Sequence, residues 1–153
     1  HPAIGLEHGA NLLIQPGVTL TTLAVSTASL LQCRDSNSTI EIVNGLTISG
    51  DFGDFMFAAE GCTIRGTGTI TLNANILQTG ATVVAVTGAH VNFSQITWNL
   101  NGFNISGQGY YVATGAQVIS KTGNPDTYWP SSIPGTTNCT TTATSIGACG
   151  YAQ

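Results

Sequence analysis

Charge is what this sequence has least of. Three Lys or Arg and seven Asp or Glu occur in 153 residues, 7 % of the chain, against about 25 % in an ordinary globular protein. The basic residues are Arg34, Arg65 and Lys121. A nucleic-acid surface needs many phosphate-neutralising cations, so that function class is excluded. No apolar run reaches the length of a membrane-spanning helix, and no membrane insertion is expected. No segment carries the 3.6-residue apolar period over three or more turns; Leu20 to Leu31, with Val25, three Thr and two Ser, is a poor candidate. The four cysteines form no CxxC pair, which removes the usual zinc patterns. No Ser-His-Asp spacing signature and no phosphate-binding loop is present.

The chain is nevertheless not of disordered type, because 42 % of it is hydrophobic. So little charge is unusual for a lone monomer. A closed homo-oligomer, covering much of its surface with copies of itself, is therefore expected.

What the sequence does have is a repeat. Ser38–Ile48, Gly61–Leu72 and His90–Leu100 read as three versions of one unit: a short apolar strand, a small polar break and a second strand. Ile40, Ile64 and Val91 recur at 24 and 27 residues, and Leu46, Ile70 and Ile96 at 24 and 26. Gly17-Val18-Thr19-Leu20 matches Gly45-Leu46-Thr47-Ile48 at 28 residues. A period of this length with strands this short predicts a stacked β architecture. The expected fold class is all-β, a right-handed parallel β-helix (β-solenoid). Residues 1–106 would supply an opening segment and the solenoid rungs, and 107–153 a C-terminal strand with an irregular capping tail.

Within this frame, Phe55 and Phe57 are expected to alternate inward as part of a strand. Thr114–Ile119 reads as one more strand. Trp98, alternating with Ile96 and Leu100, is expected to face a core or an intersubunit seam. Cys33 and Cys62 read as small apolar core residues. Cys139 and Cys149 bracket a Thr-rich loop compatible with a disulfide. Because the chain starts at His1 without Met, a longer or processed parent is expected.

Two further readings concern chemistry. Asp51 and Asp54 are the only close carboxylate pair, so a glycosidase would have to use them. Their place in a turn instead predicts carboxylates that accept backbone N–H groups. Glu41 and Arg65, one coil apart, are expected to form a cross-rung ion pair. His1, His8 and His90 are too scattered for a metal site within one chain. No catalytic residue, metal ligand or cofactor is assigned.

The tail carries a resemblance. Gly109-Tyr110-Tyr111-Val112-Ala113, Thr127-Tyr128-Trp129-Pro130, Pro134-Gly135-Thr136-Thr137 and the closing Gly150-Tyr151-Ala152-Gln153 resemble the C-terminal segment of bacteriophage tail-fibre and tailspike proteins. The chain departs from that pattern where Ser131-Ser132-Ile133-Pro134-Gly135 follows the aromatic-Pro element, and where an insert bearing Cys139 and Cys149 precedes the final Gly-Tyr-Ala. The resemblance implies a homotrimeric virion protein at the distal end of a phage tail. It would be extracellular and would contact host surface polysaccharide. An alternative from the same class is a piece of a polysaccharide-degrading tailspike whose active site lies between subunits.

A sugar ring stacks its C–H face on an aromatic face. Tyr110, Tyr111, Tyr128 and Trp129 are therefore the candidate carbohydrate-binding residues, with capping of the end rung as the equal alternative. An ice-binding solenoid is a third possibility. It needs Thr-x-Thr elements in register, and Thr19-Leu20-Thr21, Thr67-Gly68-Thr69 and Thr69-Ile70-Thr71 are not expected to align.

Overall fold

The structure, a computed structural model, describes residues 2–22, 27–122, 124–133, 135–138 and 151–152. Cys139, Cys149 and His1 lie outside the described residues. In chain order the strands are β1 (Ile4–Leu6), β2 (Asn11–Ile14), β3 (Thr19–Thr21), β4 (Leu31–Cys33), β5 (Thr39–Ile42), β6 (Gly45–Ser49) and β7 (Met56–Ala58). Four longer or later ones follow: β8 (Thr63–Leu72), β9 (Ile76–Ala85), β10 (His90–Asn99) and β11 (Ile105–Ala113). Then come β12 (Gln117–Ile119), the short helix α1 (Pro125–Tyr128), β13 (Thr136–Asn138) and β14 (Tyr151–Ala152). Every strand pairing is parallel. One sheet runs β1-β4-β7-β9-β11-β13 and the other β14-β12-β10-β8-β5-β2, with β3 and β6 stacked beneath the second half of β8. This is a parallel β-solenoid.

The period follows from packing. Each strand turns alternate residues inward, and the inward ones stack on the residue one coil away. Leu12, Ile40, Ile64, Val91 and Val118 form one such column, and Leu20, Ile48 and Leu72 another. Leu31, Met56 and Val83 form a third on the opposite sheet. Ile40, Ile64, Val91 and Val118 are wholly shielded from water.

One corner recurs in four of the coils; in the second coil the turn closed by Ser38 N to Asp35 O has Ser36-Asn37 at its centre, without positive φ. Turns closed by backbone bonds Ala10 N to Glu7 O, Cys62 N to Ala59 O, Ala89 N to Val86 O and Ala116 N to Ala113 O join the two sheets. Their central pairs, His8-Gly9, Glu60-Gly61, Thr87-Gly88 and Thr114-Gly115, all have positive φ. Two consecutive left-handed residues define a type I′ turn, which explains the glycine in second place. The interior there is narrow. Cys33, Ala58 and Ala85 align on one side, and the buried Ser38, Cys62, Ala89 and Ala116 lie on the other. Both cysteines are thus small core residues, as expected, and both are free thiols. Cys62 Sγ lies 3.1 Å from the Cys33 carbonyl oxygen. Hydrogen bonding to Cys62 and burial push the Cys33 thiol far above its usual range.

Three expectations need correction. Phe55 is buried, but Phe57 points outward, where the Arg34 guanidinium lies 5.2 Å from its ring centre. The inward residues of β7 are Met56 and Ala58. Ile70 pairs with Trp98 rather than Ile96, because a bulge between Asn92 and Gln95 inserts a residue into β10. Of Thr114–Ile119 only Gln117–Ile119 is strand, since Thr114 and Gly115 form the corner turn. The change in composition at residue 107 falls inside β11, which pairs with β9 on both sides of it.

Candidate functional site

The C-terminal end of the solenoid has a structural problem to solve. β12 stacks only on His90, Val91 and Asn92, so among the described residues no strand lies above the second half of β10. Residues 121–122 and 124–130 lie over that opening. Asn124 caps α1, its side chain accepting from the Asp126 N–H at 3.2 Å, and Pro125 occupies the first helical position. The helix delivers Tyr128 and Trp129 into the open interior. The Tyr128 hydroxyl lies 2.8 Å from the carbonyl oxygen of Phe93 and 3.0 Å from that of Ile96. These carbonyls flank the bulge. Burial pushes the Tyr128 phenol well above its ordinary range. Trp129 packs against Phe93, Trp98 and Tyr128 at ring-centre distances of 5.5, 6.1 and 4.9 Å.

The four aromatic candidates therefore separate. Trp129 is 2 % exposed and Tyr128 8 %, so both are buried in the single chain, although Tyr128 also edges the groove described below. Tyr110 is also buried, and Gly135 lies so close to its ring that a Cβ there would overlap it. Burial, then the neighbouring Asp126, raises its phenol pKa. These three pack at the end rung. Tyr111 is half-buried on β11, in register with Thr136.

The cap does not fill the opening completely. A groove of about 330 Å³ remains, lined by Ile96, Trp98, Leu100, Tyr128 and Pro130, with Thr97, Lys121, Thr122 and Thr127 supplying its polar groups. Trp98 is half-buried; it stands in the inward column over Ile70 and Leu46, and its ring meets Phe55 edge-on at 5.9 Å. Its place in the core alternative holds. A seam between subunits is not needed to explain its packing.

Lys121 stands at the groove's polar edge, its Nζ donating to Thr97 Oγ1 at 2.8 Å. The Thr122 and Thr127 hydroxyls both donate to the Asn124 carbonyl, at 3.2 and 3.3 Å. An apolar floor with a few convergent polar groups is the composition of a small-ligand site. Sequence reading missed Trp98, Thr97 and Lys121 as site residues. The available signal was the Trp98 column ending where the repeat ends.

The remaining acids are committed elsewhere. Asp51 accepts from the Leu77 N–H at 2.7 Å. Asp54 accepts from the Ala81 N–H at 2.9 Å and the Ser29 hydroxyl at 3.2 Å, and burial raises its pKa. Both thus tie one coil to the next through backbone N–H groups. Glu41 and Arg65 pair at 2.8 Å in adjacent register, as expected. Among the described residues no cluster of three or more His, Cys, Asp or Glu could hold a metal.

The outer face of the second sheet carries short threonine columns. Thr19, Thr47 and Thr71 stand in one column closed by Asn99, and Thr69 and Thr97 in the next, begun by Gly45. Single threonines thus align, but no Thr-x-Thr element stacks on another, as expected. The alignment runs through Gly45-Leu46-Thr47, a unit with one Thr, which hid it in the sequence.

The fold places the chain among parallel β-solenoids. No protein-family model, curated protein or solved structure matches it.

Proposed function

We propose that this chain is a structural and receptor-binding tip domain of a bacteriophage tail fibre or tailspike. It acts as a homotrimer on the virion and attaches it to host surface polysaccharide, without catalysis of its own. The observation that carries the reading is the groove at the capped end, where Trp98, Leu100 and Pro130 meet the hydroxyls of Thr97, Thr122 and Thr127. Aromatic and aliphatic surface beside hydroxyl groups suits the alternating C–H and O–H faces of a sugar. The tail motif of residues 109–153 and the low charge support the same reading. A rigid solenoid supports it too, since it carries such a groove at its end.

Two measurements test it. Light scattering after gel filtration is expected to give about three times the 15.7 kDa chain mass. Labelled protein is expected to bind at least one member of a panel of purified capsular and O-chain polysaccharides. A monomer that binds none of them would remove the proposal.

A further inference from the structure

The chain's three cations are not used alike. Arg65 pairs with Glu41 at 2.8 Å and Arg34 with Glu60 at 3.5 Å, each on the neighbouring coil. Lys121 has no acidic partner among the described residues; its recorded contact is the Thr97 hydroxyl. That leaves an ammonium group beside an aromatic-floored groove, in a protein of net charge −4. An ammonium group has three N–H donors, and Thr97 takes one. The Thr122 and Thr127 hydroxyls give their protons to the Asn124 carbonyl, so their oxygens remain as acceptors.

The geometry points to a carboxylated sugar residue, a uronic acid or its like, as the ligand of this groove. Its ring would lie against Trp98 and its carboxylate on Lys121, and its hydroxyls would donate to Thr122 and Thr127. Charge complementarity selects this occupant over a neutral sugar: a carboxylate supplies the anion that Lys121 lacks, and a charge-assisted hydrogen bond is about twice as strong as a neutral one. The inference deepens the attachment reading by naming the class of polysaccharide, and it rests on that reading.

The test uses the full chain and two probes: a short oligosaccharide containing glucuronic acid, and the same oligosaccharide with its carboxyl groups reduced to primary alcohols. Tryptophan fluorescence and calorimetry report binding. The acidic form is expected to bind about tenfold more tightly than the reduced form. Lys121→Met is expected to abolish that difference, lowering the affinity for the acidic form to that for the reduced form. Lys121 is exposed, so the variant should fold, and unchanged circular dichroism and thermal midpoint would establish it. Lys121→Arg is expected to restore part of the preference. Equal binding of both forms by the native protein, or a preference surviving in Lys121→Met, overturns the inference. Attachment would then stand on neutral polysaccharide alone, if the broader panel still gave a ligand. Binding to no member of either set overturns both readings.

Discussion

The Tyr128 hydroxyl lies 2.8 Å from the carbonyl oxygen of Phe93, thirty-five residues earlier in the chain. This bond joins the tail to the last full coil at the point where the coil is irregular. The Phe93 and Ile96 carbonyls lie beside the bulge in β10, beyond the last residue that pairs with β12, and a buried carbonyl without a donor is costly. One hydroxyl serves both.

Tyr128→Phe keeps the ring and removes that donor. The expected loss is about 1–3 kcal/mol, read as a shift of the urea midpoint at unchanged slope. The raised phenol pKa adds a pH signature. Its contribution to stability is fully present below the unfolded value, about pH 10, and is lost as pH rises toward the higher folded value. Tyr128→Phe should therefore be less sensitive to alkali above about pH 10 than the native protein. Equal alkaline sensitivity in the two would show that Tyr128 is not buried in this way.

Glu41 and Arg65 are exposed enough that water screens their pair. Arg65→Ala is expected to cost no more than about 1 kcal/mol. The loss should shrink further in molar salt. A salt-independent loss of several kcal/mol would mean that Arg65 acts through packing instead.

Gly45 and Gly88 both have positive φ, 85° and 73°, but their surroundings differ. A Cβ on Gly45 would overlap the Thr69 backbone of the next coil, whereas nothing lies within 4 Å of one on Gly88. Gly88→Ala should cost about 1–2 kcal/mol from conformation alone. Gly45→Ala must push two coils apart and should cost clearly more. Similar thermal midpoints for the two variants would contradict the close stacking at Gly45.

The buried thiols of Cys33 and Cys62 should react with an alkylating agent only as fast as the coils open. Peptide mapping is expected to find both unmodified in native protein and both modified in denaturant. Labelling of Cys62 under native conditions would reveal local opening at the corner.

The Thr columns on the second sheet invite a freezing test. They are broken at Gly45 and Asn99, so no thermal hysteresis is expected. A measurable gap between melting and freezing would assign ice binding to this face.

The sequence by itself determined the solenoid, because the packing rule is local and repeated. Ile40, Ile64 and Val91 sit one coil apart, and an inward apolar residue at that interval has only the next rung to rest on. The same logic placed Arg65 beside Glu41 and turned Asp51 and Asp54 toward backbone N–H groups. Tertiary structure alone decided what the repeat does not encode. Phe55 and Phe57 share a segment, yet only Phe57 faces out, because the bend before β7 breaks strict alternation. The bulge after Asn92 moved Trp98 onto the column where Ile96 was expected. The tail aromatics read equally well as a sugar platform or a plug. Among the described residues no strand stacks on the second half of β10, and Tyr110, Tyr128 and Trp129 lie buried there as a plug over apolar surface that an open end rung would leave bare. The groove beside Trp98 is what that plug leaves unfilled. It depends on how residues far apart in the chain meet, which no spacing along the sequence records.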